Sequence, residues 1–213
     1  MSAASQKPGA LKRSSVHHLH AHERATFTVQ HGWEIAASFG DAAAERNAAL
    51  QAVALADVSW VGTLECKGPW AASLASRSVP GGVACPVTPE RLVWIVEPSA
   101  IDSARQALDA ARAGQPRCYL IDTSSVHASF ELAGPRVSDV VCKLASARPE
   151  VGTPIFASLG GVRSLFVRSE LSLQLHFQRE FGEYLWESLM DAGKEFGIRA
   201  VGVEALAAVR GGG

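Results

Sequence analysis

DVSWVGTLECKGP (Asp57–Pro69) returns later in the chain as DTSSVHASFELAGP (Asp122–Pro135). Each copy reads Asp, one residue, Ser, then an alternating apolar run that ends in Gly-Pro. Alternation with period two is the mark of a half-buried strand, and Gly-Pro breaks it. An Ala-rich helical segment is expected after each copy. The second copy is longer by one residue, as a β-bulge would make it. Two strand–Gly-Pro–helix halves imply two similar units around one core. They predict an α+β fold with antiparallel or mixed sheets and helices on the outer faces.

The flanking segments extend the pattern. ATFTVQ (Ala25–Gln30) alternates as a strand and stops at His31-Gly32. Asp41 is placed to cap a helix through Leu55, with Ala44, Ala48, Leu50, Val53 and Leu55 on one face. Val79–Pro89 holds three prolines and two glycines and reads as a loop. LVWIV (Leu92–Val96) reads as a buried strand. Pro98-Ser99 opens a helix to Arg112, closed by Gly114. Arg136–Ala145 is the helix after the second repeat. Ser164–Arg168 and Ser172–Phe177 read as strands, and Arg179–Phe196 as a long amphipathic helix capped by Gly197. A short helix, Glu204–Arg210, closes the pattern. Residues 1–15 are polar and small, a flexible arm; residues 16–213 form a single domain.

Composition narrows the function. The chain has 213 residues, 47% of them apolar, and a formal net charge of −1. Lys and Arg never run more than two together, which argues against nucleic acid or an anionic membrane as partner. Cys66, Cys85, Cys118 and Cys142 form no CxxC pair, so reduced thiols in the cytoplasm are expected. No apolar run reaches membrane-spanning length. His17, His18, His20 and His22 fit no standard zinc spacing; the expectation is a solvated segment entering the first strand, with no metal. Cys85 has no basic neighbour in sequence and reads as inert.

Read together, the motifs resemble the folate-binding domain of the glycine cleavage T-protein, or aminomethyltransferase, family. The likeness runs from LHAHERATFTVQHGWEIAASFG (Leu19–Gly40) through ERNAALQAVALADVSWVGTLECKGP and IDTSSVHASFELAGP to GIRAVGVEALAAVR (Gly197–Arg210). It covers roughly residues 15–210, and the order of the blocks carries it more than any one of them. The resemblance implies a T-protein-like folate-binding fold without the family's C-terminal barrel, and tetrahydrofolate as the family's cofactor.

The departures bear on activity. The family places an acid after a Gly-Gly turn, where an anionic oxygen positions and polarises folate. Here Gly81-Gly82-Val83-Ala84 is followed by Cys85 and Pro86. The family's Val-Asn-Ala is Val96-Glu97-Pro98, and its Arg-Thr-Gly-Tyr-Thr-Gly-Glu is Arg168-Ser169-Glu170-Leu171-Ser172. The resemblance therefore implies no catalytic residue and three cofactor contacts. Arg168 would fork onto a carboxylate tail, unless it is a strand-end ion pair. Glu97 would accept from a pterin, unless it only favours a helix N-terminus. Trp94 would stack on the ring, and Trp33 and Trp60 are placed to do the same, unless each is core.

Loss of both acid and barrel is similar to the gamma subunit of heterotetrameric sarcosine oxidase, a member of the same superfamily. That likeness implies a non-catalytic subunit of a folate-linked amine demethylation complex. Tetrahydrofolate would be held weakly or not at all by this chain, and flavin only by partner subunits. A mean hydropathy of +0.09 fits a surface partly covered by those partners. Two alternatives stand beside it. One is a stand-alone tetrahydrofolate-dependent aminomethyl- or methyltransferase, with Glu97 or Glu170 replacing the acid; Asp57 and Asp122 serve if the Gly-Gly register is shifted. The other is a folate-binding assembly or regulatory protein, although the Lys-Gly-Cys motif of such relatives is absent.

Overall fold

Each Asp-x-Ser repeat is two strands joined by a turn, and the two copies interlock. The computed structural model describes residues 10–210, with side chains to Ala207. In chain order the elements are β1 (Lys12–Arg13), α1 (His17–His22), β2 (Thr26–Gln30), β3 (Trp33–Ser38), α2 (Ala42–Gln51), β4 (Val53–Asp57) and β5 (Gly62–Lys67). There follow β6 (Gly82–Thr88), β7 (Arg91–Val96), α3 (Ile101–Arg112), β8 (Tyr119–Asp122), β9 (His127–Ala133) and α4 (Val137–Leu144). The last are β10 (Ile155–Leu159), β11 (Val162–Arg168), β12 (Ser172–Gln178), α5 (Gly182–Gly193), β13 (Ile198–Ala200) and α6 (Val203–Arg210).

The first repeat is β4–turn–β5 and the second β8–turn–β9. β4 pairs antiparallel with β9, setting Asp57 opposite Phe130, and β5 pairs with β8, setting Leu64 opposite Asp122. Leu64 and Phe130 hold the same place in the two copies, so the halves are related by an approximate two-fold. The hydrogen bonds repeat it. Asp57 Oδ1 accepts from Ser59 N at 3.0 Å, and Asp122 Oδ1 from Ser124 N at 3.0 Å. Ser124 Oγ then accepts from Thr63 N (2.9 Å), and Ser59 Oγ from Ser129 N (3.1 Å). Each turn thus satisfies a buried N–H of the other repeat, an obligation burial imposes. The second copy's extra residue lies in its turn, and the β4–β9 ladder runs without a register shift; the expected strand bulge is absent from it.

The Gly-Pro steps are explained the same way. Gly68 and Gly134 have φ of +131° and +119°. A Cβ on Gly68 would overlap the Arg117 carbonyl, and one on Gly134 would stand 2.5 Å from the Ala52 carbonyl oxygen. Ala52 stands just before β4 and Arg117 two residues before β8, so the two halves share this close approach too.

The strands make a six-stranded sheet ordered β10-β11-β12-β9-β4-β13, a four-stranded sheet β6-β7-β5-β8 and a three-stranded sheet β1-β3-β2. Pairings are antiparallel except β1·β3 and β13·β4. This is the expected α+β class with mixed sheets. α4 and α5 cover one side of the six-stranded sheet through Val137, Val140, Leu185, Trp186 and Leu189 against Phe130, Leu132 and Phe177. α3 covers the four-stranded sheet through Ala104 and Leu108 against Leu64, Leu92 and Trp94. The other sides meet at a seam of Cys85, Val93, Ile95 and Leu165. The helices therefore lie outside and the two sheets face each other.

Several local expectations are corrected. α2 keeps its Asp41 cap, with Ala44 N 2.9 Å from Oδ1, but it stops at Gln51. Val53–Asp57 is a strand held between β9 and β13, because pairing on both edges overrides helix propensity. Val79–Pro89 is not all loop: β6 fills Gly82–Thr88. β6 is an edge strand, where Pro86 has no ladder donor to forfeit. β3 is an addition to the sequence reading. Of the expected arm, residues 1–9 lie outside the described residues. Lys12 and Arg13 pair with Trp33 and Glu34, and Arg13 Nε reaches Glu34 at 2.6 Å. The histidine segment is α1 rather than a solvated approach to a strand. His20 is buried against Phe39 and Trp186, and His17 stacks on Phe27. Among the described residues no helix is long and apolar enough to cross a membrane.

Candidate functional site

The inner side of the six-stranded sheet carries polar side chains in register. Leu165 stands opposite His176 and Val167 opposite Gln174 across β11 and β12; His176 faces Ser129 and Gln174 faces Glu131 across β12 and β9. Gln174 Nε2 donates to Glu131 Oε2 at 3.0 Å, and His176 Nδ1 lies 2.7 Å from Ser129 Oγ. Opposite them the four-stranded sheet presents Val93, Ile95 and the Cys85 thiol, and on the same side Thr63, Glu65 and Arg91. Cys85 is 0% exposed. Burial pushes its thiol up to about 12. Its Sγ contacts the Val83 carbonyl at 3.5 Å. A thiol held protonated among Val93, Ile95 and Leu165 is neither nucleophile nor proton carrier near neutrality.

At one end the seam opens into a cleft of about 180 Å³. Trp60 and Val61 of the first repeat's turn, Gly81 and Val83 before and on β6, and Val96 and Glu97 at the end of β7 form one wall. Val167, Ser169, Ser172 and Gln174 form the other. Glu97 is exposed, and its N–H donates to the Gly81 carbonyl at 2.9 Å, which fixes the β7 end against the Gly-Gly turn. Among the described residues that line the cleft, Glu97 alone carries an ionisable group.

Of the residues expected at a site, Glu97 is there. Trp94 is not: it is 2% exposed and lies in the core with Leu64, Leu92 and Leu108. The alternation of β7 turns Trp94 toward α3 while Val93 and Ile95 face the seam. Arg168 does not line the cleft; its neighbours Val167 and Ser169 do. Its carbonyl accepts from Gly152 N at 3.0 Å. Trp60 does line the cleft, and Trp33 is buried in β3 under Lys12. The substitute acids are elsewhere. Glu170 is exposed in the β11–β12 turn and outside the cleft lining. Asp57 and Asp122 hold their own turns. Burial opposes the Asp122 charge, but Ser124 and the Arg105 guanidinium at 2.7 Å hold its carboxyl below the usual range. Gln174 and Ser172 were missed; the alternation of SLQLHFQ carries them, but only the facing sheet shows which side is inside.

The profile of the GCVT N-terminal domain family matches residues 81–211. The chain belongs to this family. Its relatives include the aminomethyltransferase of Symbiobacterium thermophilum, 26% identical over 243 residues, covering 94% of this chain and 64% of that protein. The aminomethyltransferase of Saccharopolyspora erythraea is 24% identical, over 93% of this chain and 63% of its own length. The chain thus spans somewhat under two thirds of these relatives. Among solved structures, the glycine cleavage system aminomethyltransferase T of Bartonella henselae superposes with a TM-score of 0.75 at 16% identity, over 94% of this chain and 62% of that one. A chain of heterotetrameric sarcosine oxidase from Corynebacterium sp. U-96 superposes with a TM-score of 0.62 at 22% identity, over 87% of this chain and 96% of that one. The T-protein-like fold is shared with both. In this chain the segment after Gly81-Gly82 is β6, and Cys85 points from it into the seam.

Proposed function

We propose that the protein is a non-catalytic subunit of a sarcosine-oxidase-like, folate-linked amine demethylation complex, in the manner of a gamma subunit. One observation carries this reading. At the position where the family's acid is expected, Cys85 is sealed in an aliphatic seam. The residues do not fit tetrahydrofolate as a working cofactor. A volume of 180 Å³ is below the ~300–1,000 Å³ of ordinary ligand pockets. Trp94 is committed to the core and Arg168 lies off the cleft. Two further features support a partnered role. The likeness to the sarcosine oxidase chain runs nearly its full length. β8 is an edge strand with exposed Tyr119 and Ile121, the kind of edge that a partner covers. Flavin and any folate would then belong to the partner subunits, and the complex would sit in the cytoplasm, where four free cysteines stay reduced.

Glu97 at the cleft mouth favours the second reading, a small folate-dependent aminomethyl- or methyltransferase. Titration of the purified chain with tetrahydrofolate separates the two. The subunit reading expects binding weaker than about 1 mM and no turnover. Micromolar binding that Glu97→Gln abolishes would overturn it in favour of the enzyme.

A further inference from the structure

The opposite end of the seam opens into a second, larger cavity. It holds about 460 Å³, within the usual range for a ligand pocket. Arg91, His127, Phe156, Arg163, His176 and Phe181 are among its walls. Behind it a recess of about 40 Å³ is lined by Thr63, Arg91, His127 and His176 among apolar groups, and the Thr63 hydroxyl there is also buried without a partner. That is room for a water or one ligand atom.

His176 is 3% exposed, and its Nε2 is buried without a hydrogen-bond partner. Its Nδ1 is committed to Ser129 Oγ. Burial drives the imidazole down to about 3, so it is neutral and Nε2 has hydrogen-bonding capacity to spare. Buried polar atoms in native proteins are satisfied by protein, water or ligand. His127 Nδ1 is already taken by the Thr123 carbonyl at 3.2 Å.

The cations differ in the same informative way. Arg91 is bound by the buried Glu65, which Lys67 also approaches at 3.5 Å. Among the described residues Arg163 pairs with no carboxylate; its guanidinium lies over the Phe156 ring, 5.0 Å from the centroid. Arg163 shares the inner side of β11 with Leu165, which faces His176. Two residues of strand set the Arg163 backbone about 7 Å along the sheet from that of His176.

We propose that this cavity binds a small aromatic or similarly flat organic acid that carries a second polar group at its far end. The carboxylate pairs with Arg163, the apolar body lies against Phe156 and Phe181, and the far polar atom reaches His176 Nε2 in the recess. A guanidinium already stacked on a ring keeps its fork free for a carboxylate. The site is separate from the Glu97 cleft, and it stands whether or not the subunit reading does.

Calorimetric titration of the full chain with 4-hydroxybenzoate, benzoate and 4-hydroxybenzamide tests this. Expected is binding of 4-hydroxybenzoate below about 1 mM, at least about fivefold weaker binding of benzoate, and at least about tenfold weaker binding of the amide. Arg163 is exposed, so Arg163→Gln should fold normally and weaken the acid to the level of the amide. The ¹⁵N resonance of His176 Nε2 should move with 4-hydroxybenzoate and stay with benzoate. Equal binding of acid and amide, indifference to Arg163→Gln, or no binding of any of the three would overturn the proposal.

Discussion

Restoring the acid that the family resemblance calls for at residue 85 should damage this protein rather than revive it. In Cys85→Asp the carboxyl would enter a seam of Val93, Ile95 and Leu165 that is closed to solvent. Arg91 lines the recess beside Val93, Ile95 and Leu165, but its guanidinium is already paired with Glu65. Burial of this kind raises a carboxyl by about 3–5 pH units, from an unfolded value near 3.9. At 1.36 kcal/mol per unit, ionising it at about pH 7 costs ~4 kcal/mol of stability. The folded pKa is raised, so the unfolded state gives up its proton first as pH rises. The penalty is therefore absent below about pH 4 and grows above it by ~1.4 kcal/mol per pH unit. Urea denaturation of variant and parent at pH 7 and pH 5 reads the difference directly. We expect a gap of about 4 kcal/mol at the higher pH and about 1.5 kcal/mol at the lower, with Cys85→Ser showing a smaller, pH-independent loss. A variant within 1 kcal/mol of the parent at both pH values would refute the dry seam and return position 85 to the list of working groups.

Three other outcomes follow from the geometry. Ser59→Ala and Ser124→Ala each leave one buried N–H of the opposite repeat unsatisfied and should each lower stability by about 1–3 kcal/mol in chemical denaturation, by similar amounts if the two-fold holds. Gly134→Ala sets a Cβ against the Ala52 carbonyl at φ +119°; it should cost more than ~1 kcal/mol, whereas Gly114→Ala, with open space around it, should cost only the strain of its backbone. His176 titrates near 3 when folded and near 6.5 when unfolded. The unfolded state thus binds the proton first as pH falls, and stability should drop by ~1.4 kcal/mol per unit below about pH 6.5 on its account. His176→Gln should remove one proton's worth of that slope in a series of denaturation curves.

The repeat was legible because its two requirements are local. Asp-x-Ser closes a turn with its own side chains, and Gly-Pro supplies a backbone that tolerates a carbonyl at contact distance. The helix at 101–112 was legible from its start and stop signals, the one at 137–144 from its place after the second repeat, and the one at 182–193 from its apolar spacing. Val53–Leu55 was read as the end of a helix because AVAL suits a helix as well as a strand, and only β9 and β13 on either side decide it. β6 was hidden by Pro86, which an edge strand accepts and a central one does not. The site was less legible still. Glu97 follows a strand and precedes a helix, so its place at a cleft mouth is a consequence of order. Trp94 and Arg168 were misplaced by one step of strand alternation, which sends one residue to the core and its neighbour to the cleft. His176 and Gln174 become a polar row only when β9 and β12 are paired.

The most direct test of the subunit reading is to recover the native protein from its own cells under gentle conditions and measure the mass and flavin absorbance of what it travels with. A flavin-coloured complex of fixed stoichiometry, much larger than 22.5 kDa, is the expected result. A colourless species at the mass of the chain alone would contradict it.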